Sequence, residues 1–576
     1  MMSVRGTGPR RWIMPLPLRE DRVAALAESV GLHEDVCRVL LRRGIDSPED
    51  ARSFLRPLLT SVHSPFQLPD MQAAVERVER ALAGDEKILV HGDYDADGMS
   101  AAALLTLGLR EMGGRVEPFV PHRTRDGYDL SDAGIRRATE VGASLIVTVD
   151  CGVTAVEAVS KATSMGIDVV ITDHHRPGGE IPRAIAVVDP MLPGSRYPFR
   201  DLAGVGVAFK LLSALYERAG LETPRLNQHL DLVALGTVAD QMPLTGENRV
   251  LVRAGLRALE RTRKAGLRSL LTSAGLQADH RIEAEDIAFR VAPRLNSVGR
   301  MDEADAGLRL LLAADAPEAE RLADHLERQN AERRLTDSRV YEEAKKQARS
   351  RVRDGDQAVV LWGDDWHPGV LGIVASRLVE SYHRPAIVIS FDGDVGRGSG
   401  RSTGGFHLFN ALQECEPLLE RFGGHRMAAG FTVRRERVEE LAARLQEMAR
   451  RDLADREPAH ELQLDLEVPV ERLGDDLLRG LGHLAPFGSG NPTPILMVRD
   501  VALDRPTRVG SDGGHLRFQL VADRQRIPAI AFGMGRRLAE ARSSERADVA
   551  LEIAENSWNG RREVQARVLD FRPTET

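Results

Sequence analysis

The chain has 576 residues and a formal net charge of −8, and 42% of its residues are hydrophobic and 28% are charged. We expect three or more domains because this length exceeds what one hydrophobic core supports, and the composition excludes an intrinsically disordered protein. The negative charge argues against a uniformly basic nucleic-acid binder, although it leaves room for a local basic groove.

The cysteines and the N-terminal segment indicate a cytoplasmic protein. Three widely spaced cysteines form no Cys-x-x-Cys pair, which argues against a disulfide framework or a zinc ribbon and favours a reducing compartment. Prolines and charged residues interrupt the first apolar stretch, so we do not expect an export signal. No apolar run approaches the roughly 20 residues of a membrane span.

The first half of the chain predicts a helical extension followed by a parallel sheet. Residues 1–55 have amphipathic helical patterning, and we expect them to pack on the first domain. Residues 56–255 then alternate strand-like and helical segments, as βαβ units do. The candidate strands are residues 87–90, 116–120, 145–149, 169–172 and 185–188, and residues 131–141 and 154–165 are helical between them.

The second half of the chain predicts three further regions. Residues 256–352 are helical, and from about residue 316 the pattern is that of a long, solvated helix that connects two domains. Residues 353–455 predict a second α/β domain, with strands at 359–362 and 386–390. Residues 456–576 contain short, alternating strand-like runs that favour a small β-barrel.

The segment from Lys87 to Gly98 predicts a metal site. A buried strand ends at Gly92, and aspartates follow at 93, 95 and 97 before a helix that we expect to begin near residue 99. A divalent cation would relieve the repulsion among three carboxylates placed beside a core strand. An EF-hand is excluded, because position twelve of such a loop would be Leu104 instead of a glutamate.

Further acidic and imidazole side chains follow other predicted strands. Asp150 follows residues 145–149, the Asp173–His175 segment follows residues 169–172, and Asp240 lies in a later helical region. A single aspartate after a strand is more often a helix cap, so the prediction depends on several clusters meeting at one sheet edge. Mixed carboxylate and imidazole ligands favour Mn²⁺, Fe²⁺ or Zn²⁺, and a set of this size suits two metals roughly 3.5–4 Å apart.

These motifs resemble those of the DHH phosphoesterase superfamily and, within it, the RecJ family of single-stranded-DNA-specific exonucleases. The resemblance covers about residues 55–572. The matching segments are His91-Gly-Asp-Tyr-Asp-Ala-Asp-Gly98, Val149-Asp-Cys-Gly152, Asp173-His174-His175, Asp240, Ala292-Pro-Arg-Leu-Asn-Ser-Val-Gly-Arg300, Trp366-His-Pro-Gly369, Gly423-Gly-His425 and Pro486-Phe-Gly-Ser-Gly-Asn-Pro492.

The resemblance implies a set of metal ligands and catalytic residues. One metal would be held by His91, Asp95 and Asp150, and the other by Asp97, Asp150, His174 and Asp240, with Asp150 bridging. Asp93 would contact the ligand residues, or would itself bind the metal in some states. His175 would face the scissile phosphate. The resemblance therefore implies that His175, together with the metal ligands Asp150 and Asp97, is catalytic.

The resemblance also implies substrate-binding residues. In the family's second domain, called DHHA1, they would be Arg397, Ser399, Arg401, Ser402, Gly423, Gly424 and His425. Glycines would let backbone amides approach a phosphate and arginines would clamp it, although a flexible turn is the alternative for residues 396–402. Arg294, Asn296 and Arg300 would line the DNA path, or else form a solvated helix face.

The fold and function implied by the resemblance are specific. The fold would be α/β and multidomain: a parallel-sheet DHH domain, a long connecting helix, an α/β DHHA1 domain and a C-terminal OB-fold barrel that binds nucleic acid. The activity would be 5′→3′ hydrolysis of single-stranded DNA to 5′-mononucleotides by two Mn²⁺ ions, with Mg²⁺ as an alternative, in DNA repair and recombination. A narrow channel between the two α/β domains would select single strands.

Two other functions stay open from the sequence. One is a phosphodiesterase for short oligonucleotides or cyclic dinucleotides from the same superfamily, and the other is a non-catalytic scaffold in DNA replication. We also expect a monomer that works with a helicase and a single-strand-binding protein.

Overall fold

The computed structural model describes residues 10–122, 125–127, 129–277, 280–301, 304–353, 355–454, 460–522, 525–558 and 561–574. The chain divides into two compact units. The first contains Arg52–Glu332 and Leu484–Pro492, and the second contains the described residues of Met1–Ala51, Arg333–His483 and Thr493–Thr576. Within the described ranges, every helix is too short or too polar to cross a membrane.

Strands and helices alternate along much of the chain. The strands are β1 (Arg10–Ile13), β2 (Lys87–Gly92), β3 (Arg115–Phe119), β4 (Leu145–Val149), β5 (Asp168–Thr172), β6 (Ala186–Val188), β7 (Val359–Asp364), β8 (Ala386–Asp392), β9 (Val395–Arg401), β10 (Leu419–Gly424), β11 (Ala428–Arg434), β12 (His460–Gln463), β13 (Leu466–Glu467), β14 (Leu496–Val509), β15 (His515–Ala522), β16 (Gln525–Ala531), β17 (Ala547–Trp558) and β18 (Arg561–Pro573). The helices up to residue 301 are α1 (Glu20–Val30), α2 (Glu34–Arg42), α3 (Pro48–Leu55), α4 (Met71–Ala83), α5 (Ala96–Glu111), α6 (Asp132–Val141), α7 (Val156–Ser164), α8 (Gly204–Arg218), α9 (Thr223–Asn227), α10 (Leu230–Ala239), α11 (Gly246–Leu259), α12 (Ala265–Ser273), α13 (Ala284–Asp286), a π-helical turn (Ile287–Val291) and α14 (Ala292–Met301). The later helices are α15 (Ala304–Leu312), α16 (Ala316–Arg351), α17 (Leu371–Tyr382), α18 (Leu408–Glu414), α19 (Val438–Leu453), α20 (Asp475–Gly482) and α21 (Leu538–Ser543). Short 3₁₀ turns lie at Leu59–Ser61, Pro65–Gln67, Pro368–Val370, Glu416–Leu418, Arg435–Arg437, Val470–Arg472 and Gly535–Arg537.

The first unit is built on a five-stranded parallel sheet with strand order β3-β2-β4-β5-β6. Both of its faces are covered, since alternate residues of one strand join two different apolar clusters: Val90 packs with α4, α5 and α8, and Leu89 packs with α6 and α7. Such burial explains why the strands read as continuous apolar runs. The predicted parallel sheet is confirmed, and the carboxyl ends of its strands lie at one edge.

The second unit contains a mixed sheet and a barrel. The sheet has the order β10-β11-β9-β8-β7, in which only β7 and β8 are parallel. Strands β14, β15, β16, β18 and β17 form the barrel, which closes because β17 also pairs with β14. The predicted α/β second domain and C-terminal barrel are thus confirmed.

The start of the N-terminal extension packs on the barrel, whereas its end contacts the first unit, where the carbonyls of Phe54 and Leu55 accept hydrogen bonds from Arg249 and Arg253 of α11. Our expectation that the extension packs on the first domain therefore holds for its last residues and was wrong for its first ones. Residues 10–13 form a strand that pairs with β12, and the Trp12 indole N–H donates to Asp570 at 2.8 Å. Trp12 also joins an apolar cluster with Met497 and Ala550 of the barrel. Helical periodicity reveals an apolar face but carries no information about which distant surface covers it.

Candidate metal centre and substrate-binding residues

The loop after β2 carries the three alternate aspartates. Asp95 is the N-cap of α5, and its Oδ1 accepts hydrogen bonds from the backbone N–H groups of Asp97 at 2.9 Å and Gly98 at 3.0 Å. An aspartate at this position satisfies amides that have no partner inside the helix. The helix therefore begins at Ala96, three residues earlier than the sequence pattern indicated, and Asp97 lies in its first turn.

Asp97 is held by the N-terminus of another helix. Its Oδ2 accepts a hydrogen bond from the backbone N–H of Gly204 at 2.8 Å, and its Oδ1 accepts one from Val205 at 3.0 Å, both in the first turn of α8. Burial, followed by the charges of Asp240 and Asp95, raises the pKa of Asp97 well above its usual value. The carboxylate of Asp97 is therefore fixed in position, and the nearby charges of Asp240 and Asp95 repel its negative charge.

Asp150 and His174 come together from the ends of neighbouring strands. Asp150 follows β4 with a left-handed backbone (φ 62°), and His174 lies two residues beyond β5. His174 Nε2 lies 3.0 Å from Asp150 Oδ1 and 3.7 Å from Oδ2 of Asp240, which caps the C-terminus of α10. Two ligand atoms about 2.1 Å from a metal and at a right angle are about 3 Å apart, so the first distance suits joint coordination.

His175 is oriented by its own motif. Its Nδ1 lies 2.8 Å from Asp173 Oδ1, which also accepts hydrogen bonds from the backbone N–H groups of His174 and His175. Burial lowers the pKa of His175, but the hydrogen bond and charge of Asp173 outweigh it and raise the value to about 9.

Three groups of side chains could each hold a metal ion, because within each group one potential ligand atom per residue lies within 4.8 Å of the others. They are Asp97 with His174 and Asp240, Asp150 with His174 and His175, and Asp93 with Asp95 and Asp150. The first group contains three of the four ligands expected for one metal. The third group contains Asp95 and Asp150, two of the three ligands expected for the other metal, and also Asp93.

His91 lies close to these groups along the chain but is absent from them. It is fully buried, its ring packs on Phe119 at a centroid distance of 5.3 Å, and its Nδ1 lies 3.6 Å from the Cys151 Sγ. Burial lowers the pKa of His91 to about 4, so the imidazole is neutral, which is the form that binds metals.

Several buried atoms fit the ligands of a cation. His91 Nε2, Asp150 Oδ1 and His174 Nε2 are buried without a hydrogen bond to any described residue. Burial lowers the pKa of His174 to about 4, while burial and the charges of Asp97 and Asp95 raise that of Asp150 well above normal. Lone pairs on neutral imidazoles and crowded carboxylates, with no internal donor to satisfy them, are what a divalent metal would coordinate.

The three predicted residues of α14 have different surroundings. The Asn296 Oδ1 accepts a hydrogen bond from the backbone N–H of Ala96 at 2.8 Å, at the start of α5. Arg294 donates to the Ser273 carbonyl at 3.0 Å and lies 2.6 Å from Glu327. Arg300 is partly exposed.

The glycine-rich segment of the second unit is strand β9, so the alternative interpretation of this segment as a flexible turn was wrong. Gly396, Gly398 and Gly400 are buried, and a Cβ at Gly398 would lie 2.2 Å from the ring of Phe431. These glycines make room for the apolar core. The other face of the strand carries Arg397, Ser399 and Arg401, and Ser402 follows them.

The predicted Gly-Gly-His segment lies at the turn between β10 and β11. Gly423 and Gly424 end β10, and His425 donates its backbone N–H to the Ala428 carbonyl at 2.7 Å. Gly424 has φ 138°, and a Cβ there would lie 2.5 Å from that same carbonyl oxygen. The tight turn requires glycine, and it leaves Gly423 and His425 exposed.

The sequence interpretation missed Asp189, which follows β6 at the same sheet edge. Asp189 is fully buried, its Oδ1 accepts a hydrogen bond from the Met191 N–H at 2.6 Å, and its Oδ2 is buried without a partner in the described ranges. Asp189 directly follows a predicted strand, and this same pattern identified Asp150 and Asp173, so the sequence offered a signal that could have identified Asp189.

The parallel sheet, the acidic and histidine groups at its carboxyl edge and the second α/β region together define the class of DHH phosphoesterases. Family models support this class over three parts of the chain: the DHH family, N-terminal domain, matches residues 87–237, the DHHA1 domain matches residues 355–451, and the RecJ OB domain matches residues 464–570.

Similar proteins and a similar solved structure identify the family within this class. The single-stranded-DNA-specific exonuclease RecJ of Bacillus subtilis (strain 168) is 37% identical over 562 residues, which are 97% of this chain and 70% of the relative. RecJ of Dickeya dadantii (strain 3937) is 36% identical, over 92% of this chain and 94% of the relative. The crystal structure of RecJ in complex with Mn²⁺ from Thermus thermophilus superposes with a TM-score of 0.84 at 32% identity, covering 98% of this chain and 80% of that one. The chain belongs to the RecJ family.

Proposed function

We propose that the protein is a two-metal 5′→3′ exonuclease that degrades single-stranded DNA to 5′-mononucleotides during DNA repair and recombination. The observation that carries this proposal is the convergence of Asp97, Asp150, His174 and Asp240 at the carboxyl edge of the parallel sheet. Membership of the RecJ family supports the substrate, because its curated relatives are named single-stranded-DNA-specific exonucleases.

The donor atoms fit two divalent cations. Asp97, Asp150, His174 and Asp240 would hold one, and His91, Asp95 and Asp150 the other, with Asp93 as an additional ligand. Mixed oxygen and nitrogen donors favour Mn²⁺, and Mg²⁺ is the alternative. A solved RecJ structure exists with each of these ions. When bound, such a pair activates a water for attack and stabilises the attacking and leaving oxygens of a phosphodiester.

The residues of the chain orient the reacting groups. Asp150 would bridge the metals, and Asp97, fixed by the first turn of α8, would hold its metal at a constant position. Asp173 sets the orientation of the His175 ring, which would place that imidazole against the scissile phosphate. This preorganisation lowers the reorganisation needed in the transition state.

Further residues would bind the DNA backbone. Arg397, Ser399 and Arg401 share one face of β9, where guanidinium groups can donate two hydrogen bonds to a phosphate. Ser402, Gly423, Gly424 and His425 would extend this site. Arg294, Asn296 and Arg300 would contact the strand near the metals. Because Asn296 Oδ1 accepts the Ala96 N–H, its amide NH₂ is the group it would offer to DNA.

The experiment is Mn²⁺-dependent digestion of a 5′-phosphorylated, 3′-labelled single strand, with the duplex as a second substrate. Asp150→Ala should abolish digestion. Asp85→Ala, whose side chain is 75% exposed in the same unit, is the matched control and should leave it unchanged. Release of mononucleotides from the 5′ end of the single strand alone is the expected result.

Other outcomes would replace the proposal. Cleavage confined to dinucleotides or cyclic dinucleotides would identify a phosphodiesterase for short substrates. Tight binding of single strands without cleavage would identify a non-catalytic scaffold.

We also propose that the protein works in the cytoplasm as a monomer, with a helicase and a single-strand-binding protein. Its three cysteines are buried and unpaired, which suits a reducing compartment. An enzyme restricted to single strands needs another protein to unwind duplex DNA. Light scattering of the purified protein tests the monomer, and stimulation of duplex digestion by an added helicase tests the coupling.

A further inference from the structure

Three metal-centre side chains pack directly against glycines on three different helices. Gly204 in α8 lies against Asp150, Gly236 in α10 against Asp97, and Gly134 in α6 against His91. In each case the side chain of the metal-centre residue occupies the space where any residue other than glycine would place its Cβ.

The available space is smaller than a methyl group. A Cβ at Gly204 would lie 2.3 Å from Asp150 Oδ1, and one at Gly236 would lie 2.4 Å from Asp97 Oδ1. A Cβ at Gly134 would lie 2.4 Å from His91 Cδ2 and 2.7 Å from its Nε2. Since ordinary contact begins at 3.4 Å, each side chain would have to move by about 1 Å.

Metal coordination does not tolerate such a movement. Metal–ligand distances hold to within about 0.2 Å, and residues that orient ligands typically contribute 10–100-fold to metal affinity. The ligands are buried against the core, so they cannot move away without repacking it.

We propose that Gly204, Gly236 and Gly134 are positioning residues that hold Asp150, Asp97 and His91 at coordinating distance. This inference rests on the proposed metal centre. It assigns each glycine a separate effect, because Asp97 belongs to one group of ligand atoms and Asp150 to two, and because His91 belongs to the proposed ligand set of one metal. Gly236 and Gly134 would therefore each affect one metal, and Gly204 would affect both.

The test uses single alanine substitutions and a control on the same helix. Gly206 lies in α8 two residues after Gly204, and a Cβ there would meet only Leu202, at 3.4 Å. The number and affinity of bound Mn²⁺ ions are measured by electron paramagnetic resonance and calorimetry on the full chain. The melting temperature in EDTA is recorded alongside.

We expect Gly236→Ala and Gly134→Ala each to weaken one of two Mn²⁺ sites by about 10–100-fold, and Gly204→Ala to weaken both. Gly206→Ala should bind two ions with wild-type affinity. Wild-type affinity in all three test variants would overturn the inference, as would equal weakening in Gly206→Ala.

A double variant separates ligand displacement from general crowding. The Cβ at position 236 would also lie 2.8 Å from Val205 Cγ1, so Gly236→Ala/Val205→Ala removes that contact and leaves the Val205 Cβ at 3.1 Å. The melting temperature in EDTA checks that the double variant is folded. Continued loss of one Mn²⁺ site in the double variant supports positioning of Asp97, and full recovery of binding overturns it. Metal binding by a wild-type protein that leaves DNA intact would refute only the proposed nuclease function.

Discussion

The carboxamide oxygen of Asn296 accepts a hydrogen bond from the backbone N–H of Ala96, 200 residues earlier in the chain. This contact joins α14 to the first turn of α5, between the predicted ligands Asp95 and Asp97. A helix amide at this position has no partner within its own helix, so Asn296 completes the cap that Asp95 begins.

Asn296→Ala should therefore weaken Mn²⁺ binding as well as DNA binding. Loss of the acceptor leaves a partly buried amide unsatisfied, at a cost of about 1–3 kcal/mol, and loosens the loop that holds the ligands. We expect a decrease in Mn²⁺ affinity on the order of 10-fold by calorimetry. Asn410→Ala, at an exposed site, is the control. Unchanged Mn²⁺ affinity with weaker DNA binding would restrict Asn296 to substrate contact.

Metal binding should strengthen as the pH rises from about 6 to about 8. Burial, followed by the charge of Asp95, raises the pKa of Asp240 to about 7, so protons compete with the metal for this carboxylate near neutrality. Calorimetry in two buffers of different ionisation enthalpy measures the number of protons released when Mn²⁺ binds. This number should be larger at pH 6 than at pH 8. A constant affinity without proton release would contradict the prediction.

Asp189 should make the protein less stable as the pH rises. Burial raises its pKa to about 8, above the 3.8 of an exposed aspartate, so between these values the folded state retains a proton that the unfolded state releases. The stability present at low pH is lost as the pH rises through this window.

Asp189→Asn keeps the acceptor for the Met191 N–H but cannot ionise. It should therefore gain stability relative to the wild type between about pH 5 and pH 9, by up to about 4–5 kcal/mol at roughly 1.4 kcal/mol per pKa unit. Unfolding is followed in EDTA at both pH values. A difference between the two proteins that does not change with pH would exclude this role.

The buried ion pair of Lys210 and Glu247 should contribute strongly to stability. Lys210 Nζ donates to Glu247 Oε1 at 2.7 Å and to the His63 carbonyl at 2.6 Å, and Tyr197 donates to Glu247 Oε2 at 2.6 Å. Lys210→Met would leave Glu247 buried without its counter-charge, which typically costs about 3–5 kcal/mol.

An exposed pair provides the matched control for this substitution. Lys161 and Asp132 are 50% and 62% exposed, so Lys161→Met should cost less than about 1 kcal/mol. Both changes are measured as free energies of unfolding in denaturant. Equal effects would show that burial does not determine the contribution of the Lys210 pair.

Local patterns in the sequence predicted most of the elements and the ligand-bearing loops. The apolar runs predicted β2, β4 and β5, and the sparse apolar spacing of a charged segment predicted α16, which spans Ala316–Arg351. Asp150 and the Asp173–His175 segment were identified because each follows a strand. These features depend on side-chain periodicity and short spacing, which neighbouring residues determine.

Contacts between distant residues required the tertiary structure. The pairing of β1 with β12, the hydrogen bond of Asn296 to Ala96 and the packing of Gly204 on Asp150 all join segments or atoms whose proximity no local pattern encodes. The sequence alone indicated which residues could bind a metal, because parallel strands place the residues that follow them at one edge of the sheet. Only the folded chain decided which backbone amides and glycines hold those residues in place, since that depends on how helices far apart in sequence pack together.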